Sequence, residues 1–261
     1  MKGGGDAVSA ARAVLQTGEF DYAWNLQVED DILKRLEQGG KGRVNIVPGG
    51  NPEHIQCNTT DPWTEVDGER SSIKTTHPML SDPAVRQALT VLIDRSSIHE
   101  QIYGRGGQTS ANFLNAPSRF HSKNNRWEFN IEKANQILDA AGWKRGADGV
   151  RAKDSRRLKL LFQGATNATV QKIQAVVKQA ASRAGIEIEV KAVPASVFFS
   201  ADANNPDTNV RFLADLQTYT VFTGLDPLMF MAQFVSWEIP TKDNKWTGRN
   251  LTRWKNPEYD R

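Results

Sequence analysis

Residues 157–193 read RLKLLFQGATNATVQKIQAVVKQAASRAGIEIEVKAV, and this stretch decides the fold class. Leu158 to Phe162 is a short apolar run with the length of a strand. Asn167 then caps a helix to Ala184, with Val170, Ile173, Val177 and Ala181 on one side and Gly185 just past its end. Beyond it Ile186, Ile188 and Val190 alternate with Glu187, Glu189 and Lys191, the period of a half-buried strand. Strand, helix and strand in that order predict two parallel strands joined by a right-handed crossover. The chain is therefore placed in the α/β class.

Upstream the elements are shorter. Asp6 caps a helix over residues 6–16, Phe20 to Asn25 reads as a strand, and Glu29 to Glu37 as a helix whose Lys34 and Arg35 suit the macrodipole. Val44 to Val47 is expected as a strand closed by Pro48-Gly49-Gly50, and His54 to Thr59 as another. Residues 60–80 are irregular and polar, which predicts a domain crossover: residues 1–60 on one side, residues 61–261 on the other. Ser81-Asp82-Pro83 opens a helix, with proline at the first position where its missing N–H needs no partner. Val85, Ala88, Leu89 and Leu92 form its apolar face. A helix from Ser96 to Tyr103 follows, then one capped by Asn130 and ended by Gly142. Val210 to Tyr219 is expected as a strand and Leu228 to Phe234 as a short helix after Asp226-Pro227. The last residues, Asn256-Pro257-Glu258-Tyr259-Asp260-Arg261, read as a cap, a first-position proline and one helical turn. A single turn is unstable alone, so this end is expected to be cut from a longer chain.

Composition narrows the function classes. The 261 residues carry 33 Lys and Arg against 30 Asp and Glu, and no basic run reaches the length of a nucleic-acid tail. No nucleic-acid or membrane-surface role follows from charge. No apolar run has the roughly 18 residues a membrane span needs. The start, Met1-Lys2-Gly3-Gly4-Gly5-Asp6, has no apolar leader segment. Taken as a natural start it predicts a cytoplasmic protein; taken as the edge of a piece it says nothing of location. One cysteine, Cys57, excludes an intrachain disulfide, and a buried thiol in a strand is expected there.

No catalytic constellation stands out. His54, His77, His99 and His121 lie far apart and match no metal-ligand spacing, so no metal site and no cofactor are expected. Ser71-Ser72-Ile73-Lys74 contains Ser-x-x-Lys, but the companion elements of penicillin-recognising enzymes are missing. Gly104-Arg105-Gly106-Gly107 follows a helix instead of opening one, and Gly3-Gly4-Gly5 has no strand before it, so neither reads as a phosphate loop. The stretch Thr218 to Leu225 mixes apolar, aromatic and hydroxyl side chains, the makeup of a small-molecule cleft wall.

Residues 77–143 carry a resemblance. His77-Pro78-Met79-Leu80-Ser81-Asp82-Pro83-Ala84-Val85-Arg86-Gln87-Ala88-Leu89, followed by Ile93-Asp94-Arg95 and Ile98, resembles the signature stretch of family 5 extracellular solute-binding proteins. Asn130-Ile131-Glu132-Lys133-Ala134 with Ala141-Gly142-Trp143 is similar to a second family helix. Asp226-Pro227 and Asn256-Pro257-Glu258-Tyr259-Asp260 match two later landmarks, and residues 3–26 resemble an earlier one. The resemblance implies a periplasmic-binding-protein-like (type II) lobe, with residues 1–60 a remnant of the first lobe and hinge and residues 61–261 a second lobe truncated at its C-terminal end. It implies a monomeric receptor in the periplasm that hands a peptide, opine or sugar-like solute to an inner-membrane ABC permease, with no enzymatic step. Peptide-binding members place an aspartate just before the Asp-Pro landmark for the ligand's ammonium. Here Tyr219-Thr220-Val221-Phe222-Thr223-Gly224-Leu225 holds no carboxylate. Tyr219, Thr220, Phe222 and Thr223 are the expected ligand-binding residues. The alternative is a hydrolase or transferase fragment on an α/β scaffold, which needs a nucleophile beside a base.

Overall fold

The computed structural model describes residues 6–24, 26–47, 49–202, 204–222, 224 and 226–261. In chain order the elements are α1 (Ala7–Leu15), α2 (Asp30–Glu37), β1 (Glu53–Cys57), α3 (Pro83–Val91), α4 (Arg95–Ile98), α5 (Ile131–Ala140), β2 (Lys144–Arg145), β3 (Arg151–Lys153), β4 (Arg156–Arg157), β5 (Lys159–Ala165), α6 (Ala168–Arg183), β6 (Glu187–Val193), α7 (Ala195–Phe198), β7 (Leu216–Thr220) and α8 (Leu228–Met231). They fall into two compact units, Met1–Gly49 with Arg95–Ser110, and Gly50–Asp94 with Ala111–Arg261. The sequence places its break near residue 60; residues 50–60 group with the second unit because β1 pairs with β7 there. No helix among the described residues is long and apolar enough to cross a membrane.

The first unit is helical. Ala11, Leu15, Val28, Leu33 and Leu36 form its core. Asp6 caps α1 by accepting from the Ser9 amide at 2.9 Å. The buried Asp30 carboxylate binds Arg105 Nε at 2.6 Å and Lys34 Nζ at 2.9 Å. Gly104, at φ +49°, passes so close that a Cβ there would lie 2.5 Å from the Asp30 side chain. The expected strands at 20–25 and 44–47 do not form among the described residues. No strand among the described residues of this unit offers them a ladder, and the Val44 amide is taken instead by the Glu37 carboxylate at 2.6 Å. The helix expected over Ser96–Tyr103 is α4 followed by a wider π-helical turn, His99–Tyr103.

The second unit holds a four-stranded sheet in the order β1-β7-β5-β6. β5 is parallel to β6 and to β7, as the strand–helix–strand reading requires, and β1 runs antiparallel to β7. Leu158, Leu160, Phe162, Ile173, Val177 and Ile186 are buried between sheet and α6. Asn167 caps α6, accepting from the Thr169 amide at 2.8 Å. Asp82 caps α3 and also accepts from Trp143 Nε1 at 3.0 Å, which joins α3 to the end of α5. A small antiparallel sheet, β2-β3-β4, is added after α5. The strand expected over 210–219 begins only at Leu216, because Phe212 sits at φ +45° and Asp215 turns its carboxylate inward.

That carboxylate organises the unit. Asp215 accepts from the Leu161 amide at 2.5 Å, from Trp63 Nε1 at 3.0 Å and from His77 Nε2 at 2.9 Å. His77 Nδ1 accepts from the Met79 and Leu80 amides at 3.1 and 2.8 Å, which leaves the proton on Nε2 and aims it at Asp215. Both side chains are essentially out of water. Breaking a buried pair strands the other member, so His77→Ala should lower unfolding free energy by about 3 kcal/mol in urea titrations. The exposed Lys74–Asp67 pair is the control: Lys74→Ala should leave the midpoint unmoved.

Candidate functional site

Parallel alignment puts the carboxyl ends of β5, β6 and β7 on one edge of the sheet, together with Glu53, the first residue of antiparallel β1. Open α/β sheets bind ligands outside this edge. Glu53 pairs with Thr220 and His54 with Tyr219 in the ladder. Successive side chains of a strand point to opposite faces, so the edge has two different surfaces.

On one face Glu53 accepts from two hydroxyls, Thr218 Oγ1 at 2.8 Å and Thr220 Oγ1 at 2.5 Å. This is the α6 face: Thr218 lies beside Gly164, where an added Cβ would come 2.8 Å from Val170 Cγ1. Partial burial raises the Glu53 carboxyl above its ordinary range, and the Thr220 and Thr218 hydroxyls act against that rise.

On the other face Tyr219 packs against Phe198 of the cluster formed with Ala165 and Val193. Its ring meets His54 edge-on at 5.0 Å and Phe199 at 6.2 Å. The aromatic row continues from His54 to Phe113 at 6.3 Å, Phe113 to Phe230 at 5.3 Å and Phe230 to Phe234 at 5.7 Å. Beneath it a buried glutamine ladder crosses three strands: Gln163 Nε2 donates to Gln217 at 3.0 Å, and Gln217 Nε2 to Gln56 at 2.8 Å. Burial suppresses the acidity of the Tyr219 hydroxyl, and Gln56, on the same face of the sheet, acts against that. Burial also lowers the His54 ring to about 4, so it is neutral near pH 7. Its Nδ1 is shielded and has no hydrogen-bond partner among the described residues.

Of the four expected ligand-binding residues, Tyr219 and Thr220 stand at this edge on opposite faces, and Phe222 follows with 62% of its surface exposed. Thr223 lies outside the described residues. Glu53, His54, Phe113 and Phe199 were not singled out for this edge. Their recruitment depends on the β1–β7 register and on loop positions, and only the start of a strand near His54 was legible.

Groups that could have served the enzyme alternative are committed elsewhere. Both ring nitrogens of His77 are engaged, Ser71 Oγ donates to the Phe212 carbonyl at 2.9 Å, and Lys74 pairs with Asp67. Burial pushes the Cys57 thiol up to about 11, far from a reactive thiolate. No cluster of three His, Cys, Asp or Glu able to hold a metal occurs among the described residues.

A family model described as bacterial extracellular solute-binding proteins, family 5 middle, matches residues 4–237. The oligopeptide-binding protein AppA of Bacillus subtilis is 31% identical over 121 residues, 44% of this chain and 22% of its own length. Protein XP55 of Streptomyces lividans is 29% identical over 111 residues, 42% of this chain and 20% of its own. The structure of Bacillus subtilis AppA in complex with a nonapeptide matches 98% of this chain and 45% of its own, at 26% identity and a TM-score of 0.73. An oligopeptide-binding protein from Thermus thermophilus, complexed with a pentapeptide, shares the fold at 21% identity and a TM-score of 0.69, over 88% of this chain and 38% of its own. The chain thus spans about a fifth of the curated relatives in alignment and less than half of these solved structures. The type II periplasmic-binding-protein architecture expected from the sequence is the one found.

A carboxyl raised on folding binds its proton more tightly in the folded than in the unfolded state, so it destabilises as pH rises from the unfolded value near 4.5 through the folded one. Glu53→Gln, which removes that ionisation, should melt at a higher temperature than the parent at pH 7, by about 2 °C or more. The gap should close below about pH 4, where both forms are neutral; scanning calorimetry across that range checks it.

Proposed function

We propose that this chain, which belongs to the bacterial extracellular solute-binding proteins of family 5, forms part of the ligand-capturing subunit of an ABC importer. In this reading the second unit is one lobe of a receptor that closes around a solute by a hinge, as ligand shifts an open–closed equilibrium. The cargo is a peptide, opine or sugar-like solute, the downstream partner is an inner-membrane permease, and the working compartment is the periplasm. The receptor acts as a monomer and makes no covalent change to what it carries.

The observation that carries the reading is the sheet edge at Tyr219. A row of rings, Tyr219, His54, Phe113 and Phe230, stands beside a small set of polar groups, the mix that small-molecule sites present. The following segment exposes Phe222, Leu228 and Met229, each more than half open, so apolar surface continues past the strand. Apolar surface grouped in this way marks a place where something docks. Tyr219, Thr220, Phe222 and Thr223 are proposed as cargo-facing residues. Packing against His54, Phe198 and Phe199 holds the Tyr219 ring in place before cargo arrives.

Mass spectrometry of the solute that co-purifies with the full-length protein identifies the cargo, and calorimetry with it tests the surface. Tyr219→Ala with Phe222→Ala should weaken binding by roughly tenfold or more, the equivalent of one good contact. Unchanged affinity would remove these residues from the site.

A further inference from the structure

We propose that the second unit carries an anion site for the phosphate group of a small molecule, away from the Tyr219 edge. A cavity of about 420 Å³ lies between Gly68, Asn204, Arg211, Lys242, Lys245 and Trp246. Arg211 is on the stretch leading into β7 and Gly68 on the loop that follows β1, so the cavity sits by the start of β7 and Tyr219 by its end. Its cationic groups are set before any ligand arrives. The Arg211 guanidinium stacks over the Trp246 ring at 4.0 Å. Buried Arg253 donates to the carbonyls of Val210 and Arg211 at 2.8 and 3.0 Å, which fixes the turn that bears Arg211. The lysine loop is tied around Asn244, whose side chain accepts from the Thr241 and Thr247 amides at 2.9 and 3.2 Å and donates to the Ile239 carbonyl at 2.8 Å. Lys245 and Trp246 stand one after the other at φ +57° and +59°, a conformation that side-chain-bearing residues rarely adopt and that gathers at ligand sites. Gly68 lies under the Lys242 ammonium: a Cβ added there would come 3.6 Å from Nζ.

Positive charge is in surplus here. Of the acids on the same loops, Asp67 is bonded to Lys74 at 2.5 Å and Asp243 also acts on Lys74. Burial lowers the pKa of Arg211 and of Arg253; Glu69 opposes this in both, and a neighbouring arginine reinforces it. One carboxylate thus serves two guanidiniums, and the two exposed ammoniums add to them. An anion would relieve that repulsion, and charge-assisted bonds from Lys and Arg are the strong ones. A phosphomonoester suits the set better than a carboxylate. It carries nearly two charges near pH 7 and three acceptor oxygens, enough for a planar guanidinium fork and two ammoniums together. The volume is that of a small-molecule site, and it leaves room beside Trp246 for a short organic part. The loop ties described above mean that little freedom is lost on binding.

The test uses the full-length protein. Calorimetry takes inorganic phosphate, glycerol 3-phosphate, glycerol and succinate; flotation takes phosphatidylcholine vesicles with and without phosphatidic acid. Wild type should bind a soluble phosphate or the phosphatidic acid vesicles, ignore glycerol, and prefer its phosphate ligand to succinate by about tenfold or more. Lys242→Gln with Lys245→Gln should weaken that binding by about tenfold or more while melting as wild type does. Lys178→Gln, at an exposed lysine of α6, should leave it unchanged. A further readout needs no variant: binding should be tighter at about pH 7.5 than at about pH 5, because the second phosphate ionisation near 6 adds charge to the ligand. Binding of the soluble esters without the vesicles makes the source a free small molecule; binding of phosphatidic acid vesicles without the soluble esters makes it a lipid headgroup. No binding of any phosphate, equal binding of succinate, an affinity flat across that pH range, or a double variant that binds as wild type does overturns the proposal.

Discussion

One buried carboxylate sets the geometry on which the second unit depends. Asp215 draws together the start of β7, the β5 amide of Leu161, the loop carrying Trp63 and the turn at His77. Those groups lie up to 152 residues from Asp215 along the chain. Each partner is an N–H aimed at the carboxylate, so the charge is met by directed donors instead of solvent. A hydrophobic residue of similar volume would fill the space but fix no register. The pair of strands is thereby locked with Leu216 opposite Cys57 and Phe162, and everything at the far end of β7 inherits that alignment.

The inherited alignment explains why the proposed site has two unlike faces. β7 is only five residues long, and its last two must point in opposite directions. Tyr219 joins a row of rings; Thr220 joins a carboxylate. A slip of one residue would exchange them, placing the phenol under α6 and the hydroxyl among aromatics. The glutamine ladder opposes such a slip, because Gln163, Gln217 and Gln56 bond only when they stand abreast.

The strand–helix–strand unit and the caps at Asp6, Asp82, Asn130 and Asn167 were legible in the sequence because their causes are local: apolar period, first-turn geometry, glycine just past the end. The two strands expected before residue 50 fail for a non-local reason. A strand needs a neighbour, and the segment's one strong demand, the Val44 amide, is met by a helix carboxylate. The resemblance places its expected residues between 219 and 223, at and just past the end of β7, a stretch that holds no carboxylate. Strand pairing sets Glu53, 167 residues away in sequence, opposite Thr220. No pattern within either segment announces that pairing.

The contrast between Asp215 and Glu53 shows how one chemical group takes two roles. Both are carboxylates drawn out of water, and both accept hydrogen bonds from elements distant in sequence. Asp215 is met by three N–H donors and has become a joint of the fold. Glu53 is met by two hydroxyls, and burial keeps its pKa above the ordinary carboxylate range. The difference lies in the donors, three N–H groups in one case and two hydroxyls in the other, and in place: Asp215 precedes β7 inside the unit, whereas Glu53 opens β1 at the carboxyl edge of the parallel strands.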